Sequence, residues 1–168
     1  MRVGVFADCH DHLDHIRKVV IHCNQAEYDL VLFAGDLVST FAIPPLRKLE
    51  PSFIGCFGDN EGNKIGIYGG MQIIGTFGEP PFGIELADGT RVLLTHQKEL
   101  LRDSTDGADI VVFGHTHKPL IRHDAEGRLF LNPGETSGWT YGRPTMAWFD
   151  THNRSAEIVD LEDVDLMA

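Results

Sequence analysis

Apolar runs of strand length recur along the chain, at Val3 to Ala7, Leu30 to Ala34, Ser52 to Phe57, Gln72 to Thr76, Gly83 to Leu86, Arg91 to Thr95, Ile110 to Phe113, Leu129 to Asn132, Thr145 to Phe149 and Glu157 to Val159. Between the first two, Ile16, Val19, Val20 and Cys23 fall at helical spacing behind Asp14, a residue able to cap the segment. A second helix is expected from Phe41 to Leu49 and a third from Lys98 to Asp103. The opening third therefore reads βαβαβ, as in α/β folds. Further on, Asp88-Gly89 and Glu126-Gly127 are tight-turn signals between short strands, so antiparallel hairpins take over. A layered, partly mixed sheet is the expected result.

Bulk numbers narrow the class. At 168 residues one domain, residues 1–168, is the default, burying roughly 70% of its unfolded surface without disulfide or zinc staples. A hydrophobic fraction of 42% and a charged fraction of 23% are those of an ordinary globular protein, with no repeat or low-complexity tract. The net charge of -11 repels long nucleic acid and anionic lipid and attracts cations. Cys9, Cys23 and Cys56 are an odd count without C-x-x-C spacing, which argues for a reducing compartment, with the cytoplasm as the expected location. Met1-Arg2 leads straight into a strand, and no apolar run approaches membrane-span length, so a soluble chain without a membrane partner is expected.

Candidate chemistry lies where strands end. Gly114-His115-Thr116-His117 follows the run Ile110 to Phe113, and side chains at i and i+2 of an extended backbone point the same way, so both rings can converge on one cation or a pair. Asp8-Cys9-His10 repeats that spacing after the first strand, with Cys9 pointing away into the sheet packing. Asp36 follows the second strand, Asp59 and Asn60 the third, and His96 the run Arg91 to Thr95. Loops at that edge of an open α/β sheet converge over one crevice, so seven candidate ligands from five loops meet there. A single Asp after a strand is usually a cap or turn residue; the combination with imidazoles carries the metal reading. His12 and His15 are expected on a solvated helix start, with a place at the border of the crevice as the alternative, and His22, His123 and His152 on the surface. Gly134 to Ser137 reads as a chain reversal, with a role in shaping the pocket floor as the weaker alternative, and Ile65 to Gly75 either as a cover for the crevice or as an oligomer surface. Given the acidic balance, Trp139, Tyr141 and Trp148 are expected to be core or interface aromatics rather than a base-stacking platform.

In this order, Asp8-Cys9-His10, Gly35-Asp36, Gly58-Asp59-Asn60-Glu61, Thr95-His96 and Gly114-His115-Thr116-His117 resemble the five-block signature of the calcineurin-like metallophosphoesterases, with the spacing of the small single-domain phosphodiesterases. The resemblance implies a layered αββα sandwich, two mixed β-sheets flanked by helices. It implies that Asp8, His10, Asp36 and His117 hold one divalent cation and Asp36, Asp59, His96 and His115 another, with Asp36 shared. Two metals about 3.5–4 Å apart can share a water, lower its pKa toward about 7 and clamp a phosphoryl oxygen for in-line attack. Mixed imidazole and carboxylate ligands suit Mn, Ni, Fe, Zn or Co more than Ca, leaving the identity open. The function so implied is hydrolysis of a small phosphoester, most readily a diester. The alternatives are a non-catalytic interaction scaffold on the same fold and a phosphomonoesterase or nucleotidase. A homo-oligomer is an expectation by the same analogy.

Two departures from the family pattern stand out. Its third block usually reads Gly-Asn, whereas here Asp59 follows Gly58, with Asn60 as the ligand in the alternative register. Three carboxylates and a hydroxide nearly neutralise two dications, where the amide version keeps about one positive charge for the phosphate. Tighter metal holding and a weaker grip on an anionic substrate follow. Many relatives also place a His immediately after the ligand Asn, resembling a general acid; here the candidate catalytic position holds Asn60, which cannot donate a proton usefully. That favours diesters and activated esters over alkyl monoesters.

Overall fold

Strict alternation of apolar side chains builds the layers. In β1 (Arg2–Phe6), Val3 and Val5 face one core and Phe6 the other; in β2 (Leu30–Phe33), Leu30 and Leu32 oppose Val31 and Phe33. Such strands, buried on both faces, read as continuous apolar runs. The computed structural model describes residues 1–101, 105 and 107–166. The remaining elements are helix α1 (Leu13–Gln25), helix α2 (Ile43–Leu46), β3 (Ser52–Cys56), helix α3 (Lys64–Met71), β4 (Thr76–Gly78), β5 (Phe82–Glu85), β6 (Arg91–Leu94), β7 (Ile110–Val112), β8 (Leu120–His123), β9 (Leu129–Asn132), β10 (Thr145–Asp150) and β11 (Ala156–Asp160). Short 3-10 turns occupy Thr40–Ala42, Lys98–Leu101 and Leu161–Asp163.

The first sheet runs β11-β10-β1-β2-β3-β4, parallel from β1 to β4, with β10 and β11 antiparallel at one side. The second runs β5-β6-β7-β9-β8, with a parallel centre and antiparallel outer strands. Val3, Val5, Leu32 and Phe149 pack between the sheets against Val92, Leu94, Ile110, Val112, Leu129 and Leu131. Ile16, Val19, Val20 and Cys23 of α1, with Leu46, Ile67 and Met71, cover the outer face of the first sheet. On the outer face of the second, Leu101 of a 3-10 turn packs with Val111, Phe113 and Phe130. This is the expected α/β sandwich of two mixed sheets. No helix among the described residues is long and apolar enough to cross a membrane.

Several elements differ from the sequence pattern, each for a local reason. α1 is capped by His12, whose side chain accepts from His15 N, while Asp14 sits in the first turn and pairs with Arg17. The helix expected over Phe41 to Leu49 reduces to a 3-10 turn and the single turn of α2, where Pro44 and Pro45 supply no backbone donors. Of the helix expected over Lys98 to Asp103, Lys98–Leu101 is a 3-10 turn, and Arg102 and Asp103 lie outside the described residues. Gln72 to Thr76 is not a strand: Asn63 caps α3 by accepting from Gly66 N at 2.9 Å, Ile67 and Met71 bury one face, and β4 begins only at Thr76. Strand β8 was missed because all four of its residues are exposed and its pairing with β9 alone defines it.

β1, β2 and β3 of one sheet and β6 and β7 of the other deliver their C-terminal loops to one end of the sandwich. The inter-sheet core fixes that end. Leu32→Ala, at a fully buried site between the sheets, is expected to cost about 2–5 kcal/mol in denaturant unfolding, whereas Ile121→Ala on exposed β8 stays within about 1 kcal/mol.

Candidate metal centre

Backbone hydrogen bonds between loops shape this end before any side chain does. Asp8 N donates to Gly35 O (3.0 Å), and Cys9 N and His10 N both donate to Asp36 O (3.0 and 3.1 Å). Gly114 N donates to His96 O (3.0 Å), and Thr136 N and Ser137 N donate to Ala7 O and Asp8 O (2.9 and 3.0 Å). To satisfy these bonds the chain turns left-handed at Asp8, His10, Asp36, His115 and His117, with φ of 52°, 41°, 65°, 67° and 61°. The extended geometry expected for Asp8-Cys9-His10 and His115-Thr116-His117 is therefore absent, and alternating left-handed residues aim the side chains instead. Cys9 is buried in the core, as the spacing predicts.

Two donor groups result. Asp8, His10, Asp36 and His117 each offer one ligand atom within 4.8 Å of one another, and Asp59, His96 and His115 do the same. In the first group His10 Nε2 lies 3.2 Å from His117 Nε2 and 3.5 Å from Asp36 Oδ2, and His117 Nε2 lies 3.5 Å from Asp8 Oδ1. In the second, Asp59 Oδ1 lies 2.8 Å from His96 Nε2 and 3.2 Å from His115 Nδ1. Asp36 connects them, its Oδ1 standing 3.4 Å from His96 Nε2. His115 and His117, two residues apart, thus serve different groups. Asn60 turns back: its N donates to Asp36 Oδ1 (3.0 Å) and its Nδ2 to Asp36 Oδ2 (2.7 Å), so its side chain grips the shared carboxylate.

The donor set fits divalent transition metals. His96 donates Nδ1–H to Ala34 O (2.7 Å) and His117 donates Nδ1–H to Glu135 Oε2 (2.8 Å), which leaves both Nε2 lone pairs facing inward. Nitrogen and carboxylate donors of this mixture are those of Mn, Fe, Co, Ni and Zn sites. Burial pushes the Asp8 carboxyl up to about 7. At His96 burial acts downward, but hydrogen bonding and charge from Asp36, with Asp8, override it and raise the ring to about 9. Burial acts upward on Asp36, yet the His96 hydrogen bond and charge and the Asn60 donors hold it well below the usual carboxylate range. All three shifts say that the buried acids demand positive charge beside them.

Two carboxylates that the sequence left without a role support this arrangement. Glu61 Oε1 accepts from Asp36 N (3.0 Å), Leu37 N (3.3 Å) and Gly58 N (2.9 Å), clamping two ligand loops together. Glu135, buried at 1% exposure, accepts from His117 and from Thr140 N (2.9 Å) and Tyr141 N (2.6 Å). Gly134 to Ser137 is therefore more than a chain reversal. An acid directly after Asn132-Pro133-Gly134 was the available signal, since only partners of its own let it leave solvent. Gly58 is obligatory, because a Cβ there would stand 2.1 Å from Asp36 Oδ1.

The remaining candidates are placed as follows. His15 is half-buried at the helix start: its Nδ1–H donates to Thr136 O (2.9 Å), and His12 stacks on it at 3.7 Å. His22 is half-buried against Tyr28, while His123 and His152 are exposed. Trp139 and Tyr141 are not core residues, being 65% and 54% exposed, whereas Trp148 packs with Arg2.

Comparison with known proteins agrees with the fold. The calcineurin-like phosphoesterase superfamily domain matches residues 1–154. A phosphodiesterase from Methanocaldococcus jannaschii is 30% identical over 172 residues, covering 96% of this chain and 100% of that protein. Among solved structures, a novel archaeal phosphodiesterase superposes with a TM-score of 0.87 at 28% identity, covering 95% of this chain and 99% of the other. The phosphoesterase Yfce from E. coli gives 0.75 at 21% identity over 100% and 97% of the two chains, a likeness of fold. With its ligand-capable loops, its two mixed sheets and these matches in agreement, the chain belongs to the calcineurin-like phosphoesterase superfamily.

Proposed function

We propose that this phosphoesterase hydrolyses small phosphodiesters with two divalent cations, Asp8, His10, Asp36 and His117 holding one and Asp36, Asp59, His96 and His115 the other. The observation that carries this reading is the closure of seven side chains from five loops into two donor groups joined at Asp36. Such a cation pair supplies a water of lowered pKa and polarises a phosphoryl oxygen. The chain's own contribution is orientation: Glu135 and Ala34 O fix the tautomers of His117 and His96, while Asn60 and the amides of Asp59 and Asn60 hold Asp36.

Two open clefts favour a diester. One, of ≈ 330 Å³, is lined by Asp11 and His12, which follow His10 in the chain, and by Trp139, whose Nε1–H donates to His10 O. The other, of ≈ 320 Å³, includes Asp59 and His96 with Phe57, Lys64 and Gln97. A diester presents two ester arms, and each cleft can receive one. An amide at position 60 gives the leaving group no acid from that position, which favours good leaving groups. The acidic chain, at -11, suits a small substrate better than long nucleic acid.

Protein stripped by a chelator should be inert toward bis(p-nitrophenyl) phosphate, and Mn or Ni should restore turnover, with simple alkyl monoesters reacting more slowly. A chain that binds no transition metal and stays inert is the scaffold instead. Asp59→Asn, in a metal-replete assay, should lower KM by about fivefold or more, a fraction of the several kcal/mol that a unit charge exerts at ~4 Å; a higher KM with lost activity refutes the charge argument. Glu135→Gln should weaken metal affinity about 10- to 100-fold in a chelator competition while circular dichroism stays native.

A further inference from the structure

We propose that Trp139 and the cleft beside it receive the aromatic part, aryl ring or nucleobase, of one ester arm of the substrate, making Trp139 a specificity-determining residue; this rests on the phosphodiesterase reading above. A single exposed aromatic is ordinary on a protein surface. This one is 65% exposed and yet held in place. Its Nε1–H donates to His10 O (3.3 Å), so the ring is tied to the backbone of a candidate ligand. One side packs on His12 at 4.6 Å, His12 lies flat on His15 at 3.7 Å and 3°, and His15 is anchored to Thr136 O and Ser137 O. The next two backbone amides, of Thr140 and Tyr141, are fixed by Glu135, and Gly142 N closes the loop onto Gly138 O (3.0 Å).

Such a ring is ordered before any ligand arrives, so stacking on it costs little conformational freedom. Aromatic stacking tolerates any base, because every base has a π-face. The cleft is bounded by Trp139, Asp11, His12, Leu13, Asp14 and Arg17, and at ≈ 330 Å³ it is at the lower end of small-molecule sites, a size for one ring system rather than a peptide helix. Asp14 and Arg17 at its rim are paired with each other, and the donors and acceptor left over by that pair lie along the edge a base would present. The acidic charge of the chain, which disfavours a polynucleotide, bears little on a single diester.

The test uses the Mn-loaded full chain and two esters with the same leaving group, thymidine 5′-(p-nitrophenyl phosphate) and methyl p-nitrophenyl phosphate. Wild type should prefer the nucleoside ester about tenfold in kcat/KM, mainly through KM. Trp139→Ala should abolish that ratio and Trp139→Phe, which keeps a ring but not the N–H, should retain most of it. In a Trp148→Phe background, where Trp139 is the one remaining tryptophan, adenosine 5′-monophosphate should quench the fluorescence. The proposal is overturned by a wild-type ratio near one, by equal loss in the Ala and Phe variants, by unquenched fluorescence, or by Trp139→Ala splitting an oligomer in light scattering. Wild type inert toward both esters instead sinks the phosphodiesterase reading itself.

Discussion

The Asp36 carboxylate is the constraint on which this end of the molecule depends. It is fully buried at the end of β2, receives three hydrogen bonds from the Asp59-Asn60 turn, and lies within 3.5 Å of imidazole nitrogens from both donor groups. A carboxylate so far from water is tolerable only with donors and positive charge around it. Five loops from two sheets must therefore close on it. The closure bends five candidate ligand residues, with Asp11 and Val38 beside them, into left-handed conformation, on the order of 1–3 kcal/mol each, a sum comparable to the net stability of a typical domain. The inter-loop amide bonds and the rigid inter-sheet core are what hold that strain.

Carboxylates brace this end as well as supplying candidate ligands. Glu61 gathers three backbone amides from two loops, and Glu135 gathers two amides and the His117 ring. Charge-assisted hydrogen bonds to main-chain N–H groups are roughly twice as strong as neutral ones, which suits them to loops that carry no regular ladder. At Glu135 burial pushes the pKa upward, but the bonds from His117, Tyr141 and Thr140 outweigh it and keep the acid below its ordinary value. It thus remains an anion able to hold the ring of His117 in one tautomer. Much of the acidic excess of the chain is spent on this end.

The layers were legible because alternation is a local property: Val3, Val5 and Phe6, or Leu30 to Phe33, declare both faces of a buried strand. The ligand-capable residues were legible as a set because each follows a strand end. Their aim was not. Nothing local in His115-Thr116-His117 announces φ above 60° at both imidazoles, since that conformation is imposed by loops up to about a hundred residues away in sequence, among them Asp8, whose carboxylate accepts from His115 N. Glu61 and Glu135 escaped for the same reason, as their partners lie on other loops. α3 was obscured by Gly66, Gly69 and Gly70, poor helix formers whose cost is met by the Asn63 cap and the burial of Ile67 and Met71. Trp139 stands outside the core because its loop is held by Glu135 and by the bond of its ring to His10 O, partners far away in sequence.

The turn Gly58 to Glu61 gives positions 59 and 60 opposite surroundings. Glu61 closes the turn on Gly58 N, and the two intervening amides point at Asp36 Oδ1, so the turn has one geometry available. In that geometry position 59 faces His96 and His115 while position 60 folds back on Asp36. The acid at 59 thus adds charge to the outer, more exposed donor group, and the amide at 60 adds donors to the inner, desolvated carboxylate. Exchanging the two would put a second anion against Asp36, where burial makes like charges most costly. The order Asp-Asn is the one that places each side chain where its chemistry can be borne.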